Sequence, residues 1–275
     1  MAFHPDIELR NNFQGYQGPH PLNSSVIFLG KDANFPHWGA NPHNELDWER
    51  RSRVLSFLGN GDWRNEAEFR FSQLYENRNA HPLRAHHPFL LNCFPGNKGG
   101  APYHGKMARL IDRVLEQNEA FNDNQIVTRC TFVELVSYPT VGNNGDALAD
   151  LFNGNTPNGW EECEHFEGVQ ENHRNNLRTW LIDERGNGGC TVFIPRSVFE
   201  FLCRNNWETL NNNHLNQMNE YFLHNPNTST YEAVVVNGNN LIVTRGFPYF
   251  RNWNAVNINT TINEVASIFA NALNP

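Results

Sequence analysis

The sequence predicts an α/β protein: a three-layer α/β/α sandwich with a central, mostly parallel four-stranded sheet. Three observations lead there. Short apolar runs over 24–29, 130–138 and 191–194 each end at a Gly or Pro. Continuous runs of that length suit strands buried on both faces of a parallel sheet. Between them lie stretches with apolar residues at helical spacing, and strands alternating with helices imply parallel pairing with helices on both faces.

Residues 1–23 read as an irregular arm with Gly and Pro, and 1–275 as one domain. Ser24 to Leu29 is the first strand, ended by Gly30. Residues 45–59 and 64–76 have helical spacing, as at Leu46, Trp48, Val54, Leu55 and Leu58. His81 to Gly100 is rich in His, Pro and Gly and reads as an ordered loop. Residues 103–117 form an amphipathic helix with the stripe Met107, Leu110, Ile111, Val114 and Leu115. Cys130 to Tyr138 is the second strand, stopped by Pro139 and Gly142. A helix spans 172–183. Thr191 to Ile194 is the third strand, followed by Pro195 and a helix over 196–206. Pro is favourable at a helix start, where its missing N–H is not needed. Glu232–Val236 and Leu241–Thr244 are two short strands joined by Asn237-Gly238-Asn239-Asn240, and the last helix covers 262–273.

Composition narrows the class. The chain has 275 residues, 39% hydrophobic and 12% aromatic, with 20 Phe and 7 Trp to fill a core. No run of about 18 apolar residues occurs, so no membrane span is expected. The first residues lack a basic stretch followed by an apolar one, which argues against a signal peptide. The five cysteines are widely spaced with no C-x-x-C, so neither a disulfide framework nor a zinc ribbon is expected, and a cytoplasmic location follows. The net charge of −8 counts against a tight DNA binder, while 18 Arg leave room for a local basic stripe. The 43 Asn punctuate loops, including Asn211-Asn212-Asn213. Lysine occurs three times, at Lys31, Lys98 and Lys106, against 18 Arg. As compact point charges, these lysines hint at anion contacts.

In parallel sheets ligands bind beyond the carboxyl ends of strands. That rule nominates Gly30–Pro36, Tyr138–Gly142, Pro195-Arg196-Ser197 and Arg245–Phe250. In the first, Gly30 permits close approach to the backbone, Asp32 can orient a water or act as general base, and Phe35 can stack on a flat ligand. His86 and His87, with Tyr103, His104 and Lys106, form a candidate pocket wall or anion contact. No metal site is expected, because H-x-x-x-H and H-E-x-x-H are absent. Glu134 is a carboxylate in an apolar strand and needs a cation or a ligand as partner. Thr244-Arg245-Gly246-Phe247-Pro248-Tyr249-Phe250 places a cation among three aromatics, which suits a nucleobase or a packed turn equally. The P-loop, G-x-G-x-x-G and G-x-S-x-G patterns are absent, which disfavours nucleotide hydrolases of that type, dinucleotide folds and serine hydrolases.

The strand Val26-Ile27-Phe28-Leu29 leading into Gly30-Lys31-Asp32 resembles the first motif of the uracil-DNA glycosylase superfamily, Gly-Gln-Asp-Pro-Tyr in its best-known branch. The order of later pieces also fits over residues 24–270. The resemblance implies a DNA glycosylase-like protein of base-excision repair that recognises or excises a deaminated or modified base. Asp32 is then the water-activating residue, and Gly30, Lys31, Asn34, Phe35, Glu134 (or Asn92) and Phe247 line the base pocket. Arg245 takes the leaving group. No cofactor is implied, and the partner is DNA or a nucleobase or nucleoside. Asn34 stands where the best-known branch has Tyr, and Phe247 precedes Pro248 where the family has His. Those departures leave two alternatives: a non-catalytic binder of nucleobases or nucleic acid on the same fold, or a hydrolase of small nucleosides.

Overall fold

The computed structural model describes residues 16–17, 20–30, 110, 113–114, 116–117, 129–135, 152–153, 166–183, 185, 189–245 and 255–273. The strands are β1 (Tyr16–Gln17), β2 (Val26–Gly30), β3 (Cys130–Glu134), β4 (Thr191–Pro195), β5 (Thr230–Val236) and β6 (Asn239–Thr244). The helices are α1 (Phe166–Leu181), α2 (Arg196–Arg204), α3 (Asn212–His224) and α4 (Ala255–Leu273), with a short 3₁₀ turn at Pro21–Asn23.

The class is α/β, with a mixed sheet in the order β1-β3-β2-β4-β6-β5. The inner four strands pair in parallel, β3 with β2, β2 with β4 and β4 with β6. The expected four-stranded sheet is thus the centre of a six-stranded one. Both additions are antiparallel edges: β1 on β3, and β5 on β6. The first arises because two residues of the N-terminal arm, expected to be irregular, pair with Phe132 and Val133.

Strand β2 is the middle of this arrangement and is buried along its whole length. Its residues alternate between two apolar layers. Ile27 and Leu29 share a core with Val192, Ile194, Leu241 and Val243, and with Leu177, Trp180, Val198, Phe199, Leu202, Met218 and Phe222 from α1, α2 and α3. Phe28 instead stacks on Phe193, with centroids 4.9 Å apart, and Phe269 of α4 meets both rings edge-on. Edge-to-face and offset contacts of this kind suit the ring quadrupole. In α4 the buried positions Ile262, Val265, Ala266, Phe269 and Leu273 recur at helical spacing. The expected helix over 103–117 is seen at its described positions: Leu110 and Val114 are buried, while Arg113, Glu116 and Gln117 are exposed. Arg113 reaches Asn263 of α4. The segments 45–59 and 64–76 lie outside the described residues. Among the described residues no helix is long and apolar enough to cross a membrane.

Helix α3 departs from expectation. Its Asn-rich sequence reads as loop, yet Leu215, Met218 and Phe222 are buried on one side. Asn211 caps the helix by accepting from the Asn213 amide, and the His214 ring accepts from the Asn211 amide in return. Reciprocal capping plus one apolar stripe overrides weak propensity.

The β5–β6 connection is also tighter than expected. Asn237 and Gly238 have φ of 48° and 84°. Positive φ at both residues makes a two-residue hairpin turn whose twist matches the strands. Asn239 and Asn240 therefore belong to β6. Asn239 is fully buried, and its side chain ties three segments together. It donates to the Leu181 and Asp183 carbonyls at 3.2 and 3.1 Å, at the end of α1, and accepts from the Cys190 amide at 3.0 Å, before β4. Asn237 donates to the Ile182 carbonyl at 2.9 Å. Gly189 completes the joint: a Cβ there would lie 2.0 Å from the Gly238 carbonyl oxygen.

Two glycine replacements separate these effects. At Gly238 a Cβ meets nothing nearer than 3.9 Å, so Gly238→Ala pays backbone strain alone, about 1–2 kcal/mol. Gly189→Ala adds a backbone clash at similar φ, and unfolding in urea is expected to show a loss of about 3 kcal/mol or more. Equal losses for the two would refute the close packing of this joint.

Candidate functional site

All four parallel strands deliver their carboxyl ends to one edge, at Gly30, Glu134, Pro195 and Thr244. From β2 the chain goes next to β3 on one side. From β4 it goes to β5 at the far edge and returns to β6, both on the other side. Connections leaving two neighbouring strands in opposite directions make a topological switch point, and ligands bind in the crevice there. The switch lies between β2 and β4.

The pairing opens at that place. β2 stays paired with β3 through Gly30–Glu134, and the Leu135 amide then donates to the Gly30 carbonyl at 3.1 Å. β4 stays paired with β6 through Pro195–Thr244. The pairing of β2 with β4 stops earlier, at Phe28–Phe193. Pro195 has no N–H to extend the ladder. The sheet thus parts between Leu29-Gly30 and Ile194-Pro195 while both flanks stay zipped.

Helix α2 begins on this edge. Its first residue follows Pro195, and no side chain caps its start. The first amides and the positive end of the helix dipole therefore face the same edge. Arg196 bends back along its own helix, donating to Glu200 at 2.8 Å and to Asn219 of α3 at 2.9 Å. Ser197 is exposed.

Arg245 directly follows β6, and its amide donates to the Ser229 carbonyl at 2.7 Å. Its guanidinium lies over the Phe222 ring, 4.5 Å from the centroid. It donates to the carbonyls of Pro226 at 2.9 Å, Phe222 at 2.8 Å and Asn225 at 3.2 Å. A cation on the final carbonyls of α3 complements the helix dipole. Burial lowers its proton affinity, the Arg196 charge lowers it further, and Glu264 opposes both. The group remains a cation, as arginine does throughout the working pH range. The guanidinium is thus occupied at the end of α3, whereas the sequence placed it against a leaving group.

Of the other sequence-derived residues, Gly30 is buried at the parting of the strands, and Glu134 stands beside it in register on β3. Lys31, Asp32, Asn34, Phe35, His86, His87, Tyr103, His104, Lys106 and Phe247 lie outside the described residues, as does Asn92. Lys31 and Asp32 are the next residues in the chain after Gly30. The parting of β2 from β4 was not read from the sequence. Its signal is Pro195, a strand residue unable to donate. The docking of Arg245 was also missed; the Asn225-Pro226 end of α3 next to Phe222 was its cue.

Cys130, Cys190 and Cys203 are free and buried. Burial pushes all three thiols up, Cys190 to about 11 and Cys203 to about 12. They are held as neutral apolar groups and supply no nucleophile. Among the described residues no cluster of three His, Cys, Asp or Glu is arranged to hold a metal. No family profile, curated protein or solved structure matches this chain.

Arg245→Met keeps the apolar stem over Phe222 and removes the donors to three carbonyls. Urea unfolding is expected to show a loss of about 1.5–3 kcal/mol, the range for hydrogen bonds from a charged group. An unchanged midpoint would show that the guanidinium does not hold α3.

Proposed function

We propose that this chain is a DNA glycosylase-like protein that binds a deaminated or modified base in the crevice between β2 and β4 and hydrolyses its N-glycosidic bond. The carrying observation is that the inner strands part at Gly30, where the Gly30-Lys31-Asp32 segment begins. In this reading the sheet and helices form a three-layer α/β/α sandwich, supported by the packing of α1–α3 against Ile27 and Leu29 and of α4 against Phe28.

Asp32 orients a water toward the sugar C1′ and accepts its proton as the C1′–N bond breaks. Phe35 stacks on the base, with Lys31, Asn34 and Phe247 around it, and Glu134 contacts the base edge. His86, His87, Tyr103, His104 and Lys106 contribute the pocket wall. Arg245, with both terminal nitrogens bonded at the end of α3, anchors the loop through Phe250 that holds the leaving base. A base inside a duplex must be turned out of the stack to reach such a crevice. The proposal places the protein in the cytoplasm, in keeping with its free thiols.

One observation favours a second reading. The net charge of −8, with three lysines, suits a small neutral ligand better than a polyanion. On that reading the same crevice binds, or hydrolyses, a free nucleoside.

The deciding assay offers the protein duplex and single-stranded oligonucleotides carrying uracil, hypoxanthine or xanthine, and free nucleosides in parallel. Abasic sites are expected from an oligonucleotide, with Asp32→Asn slower by about 10²–10⁴-fold. Full activity in that variant would sink the mechanism. Turnover of free nucleosides alone would select the second reading.

A further inference from the structure

The N-terminal arm is held by groups that the proposed site does not use. Arg185, which follows α1, is buried and has no carboxylate partner among the described residues. It donates to the Pro21 and Ser24 carbonyls, both at 2.9 Å, and to the Trp180 carbonyl. The Ser24 hydroxyl hydrogen-bonds Thr131 of β3 and donates to the His20 carbonyl at 3.3 Å. β1 adds main-chain pairing with β3. His20 joins these contacts from an exposed position. Its Nδ1 accepts from the Leu22 amide at 3.3 Å, so that nitrogen carries no proton. Its ring lies edge-on to Tyr16 at 5.6 Å and to Trp180 at 6.0 Å, and those two rings meet each other at 5.4 Å.

We propose that His20 is a pH-sensitive latch: neutral, it holds β1 and the 20–24 turn closed onto β3 and α1, and protonated, it loosens them and uncovers the β3 edge beside Glu134.

Protonation acts in two ways. It removes the acceptor for the Leu22 amide, undoing the cap of the 3₁₀ turn. It also places a second cation beside Arg185, whose own charge is fixed by its bonds to the arm. Among the described residues, the groups facing His20 are Tyr16 of β1, Trp180 of α1 and Arg185. Beyond them, His173 of α1 lies 5.8 Å from the Trp180 ring, and Cys190 is coupled to Arg185. None of these is an anion at neutral pH that would hold an imidazolium. The aromatic rings offer some cation–π attraction, worth about 0.5–1 kcal/mol at an exposed site. The balance runs against the cation: burial first, then Arg185, holds His20 below its ordinary 6.5.

The sign follows. In the released arm His20 has its ordinary affinity, so the released form binds more protons. The latch contributes fully above pH 6.5, and its contribution is lost as pH falls through the lower value of the closed arm.

The test is hydrogen exchange of the full chain between pH 7.5 and 5, corrected for intrinsic rates, in the wild type and in His20→Asn. Asn accepts at a helix start as His20 does but does not titrate. In the wild type, amides of 16–24 and of β3 are expected to exchange about five- to tenfold faster at the acid end, the loss of one hydrogen bond with its neighbours. His20→Asn is expected to hold its protection throughout. Acid loosening in both proteins, or in neither, would overturn the latch. If His20→Asn is loose at every pH, the imidazole titration of the wild type decides. A His20 midpoint coinciding with arm release supports the proposal, and one that differs from it overturns it.

Discussion

Strand β2 sets the terms for everything else. All five of its residues are buried, so each amide and carbonyl between its ends needs a partner inside the protein. β3 and β4 supply those partners from either side, and both run parallel to β2. Parallel neighbours cannot be joined by tight turns, so long crossovers must pass over the faces of the sheet. Helices on those crossovers then bury Ile27 and Leu29 on one side, and α4 buries Phe28 on the other. The same constraint makes the carboxyl end distinctive. There β2 and β4 stop pairing between two zipped flanks.

A second set of contacts fixes where the crossovers return. One buried amide, Asn239, satisfies the end of α1 and the approach to β4 together. Gly189 lets that approach lie directly on the Gly238 carbonyl. Arg185 and Arg245 do comparable work elsewhere, each spreading a guanidinium over three carbonyls. Each also leaves its Nε without a partner. The protein uses arginine and asparagine here as main-chain clamps. This gives a physical use to part of an Asn-rich composition that otherwise reads as loop filler.

The central strands were legible because burial on both faces leaves continuous apolar runs. β2, β3 and β4 fall where 24–29, 130–138 and 191–194 were expected, with β3 stopping at Glu134. Helices α1, α2 and α4 fall where helices were expected, though α1 starts earlier, at Phe166, and α4 earlier, at Ala255. Helix α3 was hidden by Asn211-Asn212-Asn213, whose turn chemistry is also cap chemistry. β1 was hidden because two residues carry no periodicity. The strand-end rule nominated Gly30 and Pro195 from sequence, and both end parallel strands. The order of strands, which puts a switch point between two strand ends, needs long-range pairing that no local pattern encodes. The contacts of Arg245 were missed for a similar reason: its partners lie 19–23 residues earlier and are main-chain carbonyls.

The central claim is that ligand meets the sheet where β2 and β4 part. Photo-crosslinking with an oligonucleotide carrying 5-iodouracil tests it most directly. The account predicts crosslinked peptides from both sides of the opening, 28–35 and 193–197, and loss of both when an excess of unlabelled uracil-containing oligonucleotide is present. Crosslinks confined to α3 and the β5 edge, or none at all with folded protein, would contradict it.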